Sequence, residues 1–597
     1  MPGLNLTRQE AATRAETVTK VHSYRVTLDL TASESVFTST TTVSFDAVAG
    51  SSTFIDAITH QVHSVTLNGR DLDPAAVSDG VRIQLRDLAE QNELTVVADA
   101  MYTNTGEGLH RFVDPVDDEV YLYTQFEVPD SRRMFAVFEQ PDLKAEFTFV
   151  VTAPKSWTLI SNEPVERREE GAEADVWTFA MTPRISSYIT ALVAGPYSSL
   201  SDQVTSSDGR NISLNIYARR SLMDYLDAEE IFVLTKQGFE FYEQQFGVPY
   251  PFTKYDQLFV PEFNAGAMEN AGCVTILEDY IFRSKTTDAM IERRAITVLH
   301  ELAHMWFGDL VTMKWWNDLW LNESFAEFMS HLSAAENTRF THAWTTFSAM
   351  EKTWAYRQDQ LPSTHPIVAD IKDLHDVQVN FDGITYAKGA SVLRQLVAWV
   401  GQEHFMKALH QYFDKHSWGN ATLADLMAEL EATSGRELRS WSEAWLETAG
   451  VNTLTPSVEV DDEGRIVRIE VIQTAPNEHP TLRPHRMTAG FYDVVDCRLV
   501  RVHGVEFDVD GERTEIPDVA GRPRPLVLLL NDQDLAYAKV RLDDVSFHHA
   551  KVHLRDFEES LPRAVVWGAA WNSTRDGQVP ARRFVEMVLN NIDAETD

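Results

Sequence analysis

The amino-acid sequence predicts a multidomain α+β protein, and the spacing of apolar residues along the chain supports that prediction. The stretch from about residue 18 to about residue 195 contains runs in which apolar and polar residues alternate, as in β-strands, and apolar residues recur at helical spacing from about residue 220. The period of two returns after Gly450, and helical spacing returns from about residue 547. We therefore expect four domains, which span residues 1–196, 197–449, 450–545 and 546–597.

The first domain is predicted to be an all-β saddle or sandwich. Residues Tyr24 to Leu30 alternate between apolar and polar, and further strands are expected at Glu146 to Thr152 and at Val176 to Met181. Asn68-Gly69 lies between two extended runs, and this pair favours a tight hairpin turn because both residues tolerate a positive φ.

The second domain is predicted to be mostly helical. Its expected helices, besides those of the motifs described below, are Ala228 to Phe246, Ala390 to Val400, Glu403 to Lys415 and Thr422 to Thr433. A mixed α/β segment is expected at Tyr255 to Asp279.

The third predicted domain is rich in β-strands, and the fourth is helical. Turn residues at Asp461 to Gly464 and at Asp510-Gly511 separate extended runs, which predicts hairpins of a small β-sandwich. Helical spacing at Phe547 to Leu554, Ala564 to Trp571 and Arg582 to Leu589 then predicts the beginning of a helical region.

Composition argues against several classes of function. The formal net charge of −38 opposes binding to a nucleic-acid backbone, and we attribute it to an acidic, solvated surface. Cys273 and Cys497 are the two cysteines, so a disulfide framework is not expected and a reducing compartment is. The first twenty residues lack the apolar core of a signal peptide. We expect a cytoplasmic monomer that binds neither nucleic acid nor membrane.

The stretch from Ala295 to Trp306 contains the pattern H-E-x-x-H within an apolar-faced helix. His300 and His304 are four residues apart, so they project from the same face, and two imidazoles side by side form half of a zinc site. Glu301 lies about 100° further round the helix, where it can reach a water on the metal without being a ligand. That position is typical of a general base.

A third ligand is expected at Glu323, 19 residues after His304 and near the start of a second apolar-faced helix. Two histidines and one glutamate leave a fourth position for water, which marks a catalytic rather than a structural zinc. The metzincin continuation is absent, because Phe307 and Leu310 stand where its glycine and third histidine would be. Asp318 or Glu327 could orient a zinc-binding histidine, and the sequence does not choose between them.

Four segments together resemble the signature of the M1 zinc aminopeptidases, the aminopeptidase N group, and especially its actinobacterial members. They are Asn264 to Asn270 (N-A-G-A-M-E-N), His300 to His304, Asn322-Glu323 and Tyr386 to Gly389 (Y-A-K-G). The resemblance implies a β saddle, a thermolysin-like catalytic domain, a small β-sandwich and a large helical C-terminal domain. Only the opening helices of the last are present, so we expect either a shortened form or a naturally short member.

The resemblance also implies roles for the motif residues. One Zn²⁺ per chain would be held by His300, His304 and Glu323, and would lower the pKa of its water to about 7. Glu301 would act as the general base. Tyr386 would donate to the oxyanion that forms on the peptide carbonyl.

An aminopeptidase must also recognise the free amino terminus of its substrate. By resemblance, Glu269 is the principal amine anchor and Glu127 the second, and the backbone of Gly266, Ala267 and Met268 pairs with the extended substrate. The first side-chain pocket is expected to be lined by Gln125, Ala265, Met268 and Phe381. Since that pocket would hold no charge, we expect neutral and apolar N-terminal residues to be accepted, with basic ones left open.

Three alternatives stand beside a zinc-dependent aminopeptidase. One is a bifunctional epoxide hydrolase of the same family, and another is an endopeptidase, if the amine anchors do not function. The third is a catalytically silent scaffold, which the intact metal and base residues oppose. A further histidine group, His548, His549 and His553, is interpreted as surface histidines because it lacks carboxylate partners.

Overall fold

A computed structural model describes residues 5–595, and within that range the chain forms two compact units. The first unit comprises the chain up to Asn322 together with Asp370–Val379 and His410–Leu423. The second comprises Glu323–Ala369, Asn380–Leu409 and the chain from Ala424 onwards. The division falls inside one helix, so Glu323 shares a helical turn with residues of the first unit. The predicted α+β class is confirmed, whereas the four domain boundaries stay a prediction.

Within residues 5–595, the strands and helices follow in chain order. The strands are β1 Val18–Asp29, β2 Val36–Ala47, β3 Thr53–Asp56, β4 Gln61–Leu67, β5 Arg70–Leu72, β6 Arg82–Leu85, β7 Gln91–Met101, β8 Gly108–Val113, β9 Val120–Gln125, β10 Glu146–Pro154, β11 Thr158–Ser161, β12 Val165–Glu169, β13 Ala174–Phe179, β14 Leu192–Gly195, β15 Ser198–Thr205, β16 Asn211–Ala218, β17 Lys254–Val260, β18 Ala267–Met268, β19 Cys273–Leu277, β20 Thr312–Met313, β21 Asn420–Ala421, β22 Asn452–Val460, β23 Ile466–Thr474, β24 His485–Val495, β25 Arg498–Val509, β26 Arg513–Glu515, β27 Val527–Leu530 and β28 Ala538–Val540. The α-helices are α1 Arg8–Thr17, α2 Pro74–Val77, α3 Ala228–Phe246, α4 Asp288–His304, α5 Trp320–Asn337, α6 Ala343–Thr346, α7 Lys352–Gln358, α8 Leu374–Gln378, α9 Gly389–Val400, α10 Gln402–His416, α11 Leu423–Ser434, α12 Arg439–Leu446, α13 Asp544–His553, α14 Ser560–Arg575 and α15 Ala581–Asn591.

The first unit begins with the β region that the alternating pattern predicts. An eight-stranded sheet has the order β12-β13-β10-β1-β2-β7-β4-β5, and a four-stranded sheet has the order β11-β14-β9-β8. Tyr24 on β1 is opposite Phe147 on the parallel neighbour β10, and their rings stack at 4.9 Å. Asn68 and Gly69 join β4 to β5 with φ values of 53° and 73°, so the predicted hairpin turn is confirmed.

Helix α1 is an element that the sequence analysis missed. It begins at a capping box, in which the Thr7 hydroxyl accepts from the Glu10 amide and the Glu10 carboxylate accepts from the Thr7 amide. The spacing T-x-x-E was visible in the sequence, but the only apolar residues of this helix are alanines, so it lacks the apolar period on which the analysis relied.

The second half of the first unit contains a five-stranded mixed sheet of order β15-β16-β17-β19-β18. Helix α3 has the predicted bounds and ends at Gly247, whose φ of 65° suits a residue without a side chain. Helices α3 and α4 pack closely because Gly238 of α3 faces Leu299 and Leu302, whose methyl groups would lie 2.7–2.8 Å from an added Cβ atom.

The second unit contains the predicted small β-sandwich. One sheet has the order β26-β23-β22-β28 and the other β25-β24-β27. Fully buried residues from both sheets, among them Leu454, Val471, Met487 and Leu529, share one apolar core with α13 and α14. The turn at Asp461 to Gly464 joins the antiparallel neighbours β22 and β23, as predicted. The hairpin predicted at Asp510-Gly511 is wrong, because β25 pairs with β24 whereas β26 pairs with β23, so this turn carries the chain from one sheet to the other. Among the described residues, no helix is long and apolar enough to cross a membrane.

Candidate active site

Helix α4 holds the H-E-x-x-H motif in its buried half. Every residue from Arg294 to His304 is buried, and the helix begins at Thr287, whose hydroxyl accepts from the Met290 amide. The hydroxyl of Tyr242 on α3 donates to the carbonyl of Leu299 at 2.8 Å. The helix that presents the histidines is therefore fixed both by its own cap and by its neighbour.

The two histidines direct their Nε2 atoms toward a common point. These atoms are 3.0 Å apart, and the side chains are 8 % and 1 % exposed for His300 and His304 respectively. Two ligands at 2.0–2.1 Å from a tetrahedral zinc would lie about 3.3 Å apart, so the spacing suits a shared metal. The Nδ1 of His304 lies 2.9 Å from the carbonyl of Phe307, to which it can donate, and this leaves Nε2 as the ligand atom.

The sequence analysis did not consider the backbone carbonyl of Phe307, three residues beyond His304, as an orienting group. That Asp318 or Glu327 orients a zinc-binding histidine stays a prediction. Burial raises the pKa of Asp318 to about 6. A Glu327 oxygen lies 3.6 Å from Nδ1 of His331, a neighbouring residue on α5.

Glu323 completes the candidate metal group. It lies in the first turn of α5 and is 2 % exposed. The candidate ligand atoms of His300, His304 and Glu323 all lie within 4.8 Å of one another. Two imidazole nitrogens and one carboxylate oxygen form the donor set of catalytic zinc sites, so these residues fit that metal. Glu301, the predicted base, is 4 % exposed on the same helix as the histidines.

A second group of carboxylates shares Glu323 with the metal group. Glu127, which follows β9, and Glu269, which follows β18, have carboxylate oxygens within 4.8 Å of each other and of Glu323. Glu269 is 3 % exposed. Negative charges crowded in a buried place repel one another, so this arrangement favours a cationic ligand or a proton.

The segment N-A-G-A-M-E-N contains β18, one of the two edge strands of the five-stranded sheet within the described residues. Ala267 and Met268 pair with β19 on one side, and Ala265 and Gly266 just before them are exposed. An edge strand offers its free backbone groups to an added extended peptide. Gln125, at the end of β9, donates to the Met268 sulfur at 3.4 Å, so these two residues of the predicted pocket are in contact.

The loop before β18 is anchored by the β-rich part of the first unit, which the sequence did not reveal. Nε2 of the fully buried His110 lies 3.2 Å from the Glu262 carboxylate, and Tyr123 donates to the Glu262 carbonyl. Burial lowers the pKa of His110, against the opposing pull of Glu262. Asn264 donates to the carbonyl of Thr105. A histidine and a glutamate 152 residues apart gave no local signal.

Lys144 is a second residue that sequence reasoning missed. Its side chain is 2 % exposed, and its Nζ donates to the carbonyls of Asp309 and Leu310 at 3.2 Å. These carbonyls belong to the loop that follows α4. Burial lowers the pKa of Lys144 to about 7, although the charge of Asp309 opposes that shift.

The remaining predicted residues, Phe381 and Tyr386, belong to the second unit. Tyr386 lies in a single π-helical turn, Ile384–Lys388, immediately before α9, and its ring is 6.4 Å from that of Trp354. Phe381 precedes this turn and is partly buried. Their approach to the metal group stays a prediction.

Comparison with protein-family models matches three parts of the chain. Residues 20–189 match the peptidase M1 N-terminal domain, residues 232–445 match the peptidase family M1 domain, and residues 527–597 match an ERAP1-like C-terminal domain. The candidate metal ligands, Glu301, Glu269 and Tyr386 all lie in the second match.

Curated relatives agree with these models. Aminopeptidase N of Streptomyces lividans is 58% identical over 610 aligned positions, which cover 100% of this chain and 70% of the relative. Tricorn protease-interacting factor F2 of Thermoplasma acidophilum is 34% identical, and leucyl aminopeptidase of Saccharolobus solfataricus is 32% identical. In both cases the match covers 70% of this chain and 51% of the relative, so the chain corresponds to about half of those proteins.

The fold and the site thus define a metallo-aminopeptidase, which is a hydrolase. Specifically, the chain belongs to peptidase family M1, in its aminopeptidase N group.

Proposed function

We propose that this chain is a zinc-dependent aminopeptidase that releases single residues from the free amino terminus of peptides. The observation that supports this most directly is that Glu323 belongs to two groups, His300-His304-Glu323 and Glu127-Glu269-Glu323. A cation-binding carboxylate cluster directly beside a metal group would hold a substrate amine next to the bond that is cut. That proximity restricts cleavage to the first peptide bond.

The residues of the metal group would divide the chemistry as follows. His300, His304 and Glu323 hold Zn²⁺, which, when bound, polarises the scissile carbonyl and activates water. Glu301 accepts a proton from the attacking water and delivers it to the amine that departs. The Tyr386 hydroxyl donates a hydrogen bond to the negative charge that develops on the carbonyl oxygen.

Recognition of the chain end would fall to the carboxylates. An α-amine has a pKa of about 7.7 to 8.0, so most substrate termini are protonated near neutrality. Glu269 and Glu127 bind that ammonium, and the edge strand β18 pairs with the substrate backbone.

The side-chain pocket would accept neutral and apolar residues. Its proposed lining is Gln125, Ala265, Met268 and Phe381. Among the described residues, Oε1 of Gln125 has no hydrogen-bond partner, while its Nε2 contacts Met268. An available acceptor favours basic side chains as additional substrates. A cytoplasmic, monomeric enzyme of peptide breakdown is part of the same proposal.

A pair of matched peptides tests the proposal. The enzyme is incubated with a Leu-initiated peptide and with its N-acetylated twin, each with and without a chelator, and the products are identified by mass. We expect sequential loss of N-terminal residues from the free peptide only, and no loss when the chelator is present.

Each other outcome contradicts a named part of the proposal. Equal cleavage of both peptides would reject the exopeptidase assignment and favour an endopeptidase. Undiminished cleavage with the chelator would reject the metal. Absence of cleavage by a chain shown to contain zinc would favour the silent scaffold.

A further inference from the structure

The turn that contains Tyr386 has an unusual backbone conformation, and side-chain contacts hold its start, its middle and its end. Residues Ile384–Lys388 form one π-helical turn, in which the Lys388 amide donates to the carbonyl of Gly383, five residues earlier, at 2.9 Å. A π turn is rare because its hydrogen-bond geometry is less favourable than that of an α-helix, and such turns are frequent at functional sites. Contacts from outside the turn must therefore stabilise it.

The first anchor is Asp382, at the start of the turn. Its Oδ1 accepts from the amides of Ile384 and Thr385 at 2.9 and 3.0 Å. Its Oδ2 lies 2.8 Å from Nε2 of His365, and the Asp382 charge raises the pKa of that histidine although burial opposes the shift. The Asp382 carboxylate thus caps the start of the turn, and His365, from a separate segment of the chain, holds that carboxylate in place.

The second anchor joins the turn to α5. The Ser324 hydroxyl donates to the carbonyl of Thr385 at 2.6 Å. Gly389, at the end of the turn, approaches Ser324 so closely that an added Cβ atom would lie 1.9 Å from its hydroxyl oxygen. Because Ser324 follows Glu323 directly, the turn is packed against the helical turn that carries a proposed metal ligand.

The third anchor is a fully buried ion pair. Nζ of Lys388 lies 2.9 Å from Oδ2 of Asp359, and both side chains are 0 % exposed. Oδ1 of the same carboxylate accepts from the Gly450 amide at 2.8 Å, and Oδ2 also accepts from the Tyr537 hydroxyl at 3.2 Å. Gly450 lies at the entrance to the β-sandwich, so the pair connects the turn to that layer.

The energetics of buried charges indicate that the Lys388–Asp359 pair contributes more to the geometry of the turn than to the free energy of unfolding. Removing two charges from water is costly, and a well-packed apolar pair of similar volume is often as stable as a buried ion pair. Burial accordingly lowers the pKa of Lys388 to about 8, even with Asp359 beside it. A directional contact between charged groups does, however, fix geometry in a way that apolar packing does not.

We propose that the Lys388–Asp359 pair is a positioning device for Tyr386, since it locks the π turn on which Tyr386 lies. The inference rests on the proposed function of Tyr386 as an oxyanion donor. Lys388 is two residues from Tyr386 within the same turn, so a shift of its anchor displaces the tyrosine backbone as well. A displacement of about 1 Å in a catalytic group can lower turnover by about 10²-fold.

The chain offers a matched control in Lys352 and Asp534. These side chains are 1 % and 5 % exposed, their charged atoms are 2.7 Å apart, and the pair joins α7 to the β-sandwich region. Lys352 directly follows a π-helical turn, Phe347–Glu351, whereas Lys388 is the last residue of its own π turn. The control pair resembles the first in burial, chemistry and neighbouring layer, but not in proximity to Tyr386 in the sequence.

The test compares Lys388→Met/Asp359→Asn with Lys352→Met/Asp534→Asn. Each double variant removes both charges of its pair, so that neither member of the pair is left buried without the other. We expect the first to lower kcat about tenfold or more with KM within about twofold, and the second to leave both constants within about twofold. Equal kcat values in the two variants, once corrected for the folded fraction, would overturn the proposal.

A coupling experiment separates this inference from the proposed function. If the pair acts through Tyr386, adding Lys388→Met/Asp359→Asn to Tyr386→Phe lowers kcat no further. A multiplicative loss would show that the pair acts elsewhere and would overturn the inference. Wild-type turnover in Tyr386→Phe alone would instead reject the proposed role of the tyrosine. If kcat falls in Tyr386→Phe but not in Lys388→Met/Asp359→Asn, the role of the ion pair is rejected, whereas the proposed role of Tyr386 stands.

A milder variant covers the case in which the charge-free pair does not fold. Tyr537→Phe withdraws one hydrogen bond from Asp359 and leaves both charges in place. We expect it to lower kcat about twofold to threefold at unchanged KM, in line with the loss of about 0.5 kcal/mol of positioning. Wild-type kcat in a folded Tyr537→Phe would then count against the proposal.

Discussion

Two segments of the molecule that the proposed chemistry needs are positioned in opposite ways. On α4, the histidines are placed by the helical period, and His304 is oriented by a carbonyl only three residues further on. The turn Ile384–Lys388 is held by side chains far away in sequence, such as Ser324, which is 61 residues from Thr385, and by Gly450, which is 62 residues from Lys388. A regular helix can specify a metal site locally, whereas a π turn needs tertiary contacts.

The largest expected effect tests the locally specified segment. In Glu301→Gln, the amide cannot accept a proton, so we expect kcat to fall by about 10³-fold or more. Because Glu301 is not a ligand in this proposal, zinc content should remain at one per chain. Turnover of a Leu-initiated peptide and metal analysis of the same sample provide the measurement.

Two results would contradict the roles assigned to the residues of α4 from the helical period. Normal hydrolysis by Glu301→Gln would remove it as the base. Loss of zinc together with activity would show that Glu301 contributes to metal binding, in which case the helical period alone does not separate ligand from base.

The next effect tests the segment that is positioned from a distance. Tyr386→Phe removes one donor to the developing oxyanion, and we expect kcat to fall by about 10² to 10³-fold with KM and zinc content nearly unchanged. Steady-state kinetics with a fluorogenic N-terminal amide measure both constants. An unchanged kcat would mean that the elaborate anchoring of this turn serves the fold alone.

The same contrast explains which features could be predicted from the sequence. Helix α3 has the predicted bounds, and the Asn68-Gly69 hairpin is confirmed, because period and turn chemistry are local properties. The ligand set could be named from two short motifs. Contacts such as His110 with Glu262 and Lys388 with Asp359 were missed, since nothing within a few residues of either partner signals the other.

The functional residues likewise divide into those that a local sequence signal identifies and those that only tertiary contacts reveal. Glu323 was named from its position after the H-E-x-x-H motif and the amine anchors from the resemblance to a family, and the structure brings the ligand atoms of each group within 4.8 Å of one another. Helix α1 was missed although its capping box was visible, because a helix whose only apolar residues are alanines has no apolar period. The π conformation of the Tyr386 turn could not be predicted, because the contacts of Thr385 and Gly389 with Ser324, a distant residue on α5, have no local signal in the sequence.

The third prediction concerns a segment that is specified partly by its own motif and partly by contacts with residues that are distant in the sequence. Residues 264–270 combine a recognisable motif with anchoring by His110 and Thr105 from the β-rich part of the first unit. In Glu269→Ala, one of the two amine anchors is lost, and we expect KM for free peptides to rise at least tenfold while zinc is retained. The ratio of kcat/KM between a free peptide and its N-acetylated twin should fall correspondingly. Unchanged KM and an unchanged ratio would contradict the anchor role.

The smallest effect on activity is expected at Lys144, which joins the β-rich part of the first unit to the loop after α4. Its Nζ reaches two carbonyls of that loop, but His304 is oriented by Phe307, so Lys144→Met should leave kcat within about twofold. Stability should respond instead. Burial lowers the pKa of Lys144 to about 7 from its ordinary value of 10.5.

The sign of the pH dependence follows from that difference. Between about pH 7 and 10.5 the unfolded chain binds a proton at Lys144 that the folded chain does not. The contribution of Lys144 to the free energy of unfolding is therefore greatest above pH 10.5 and is lost as the pH falls toward 7. Urea denaturation between pH 7 and 9.5 should show a smaller rise, or a steeper decline, in Lys144→Met than in the wild type. Parallel curves would mean that Lys144 stays protonated in the fold, so that its contacts with the two carbonyls are charge-assisted hydrogen bonds rather than neutral ones.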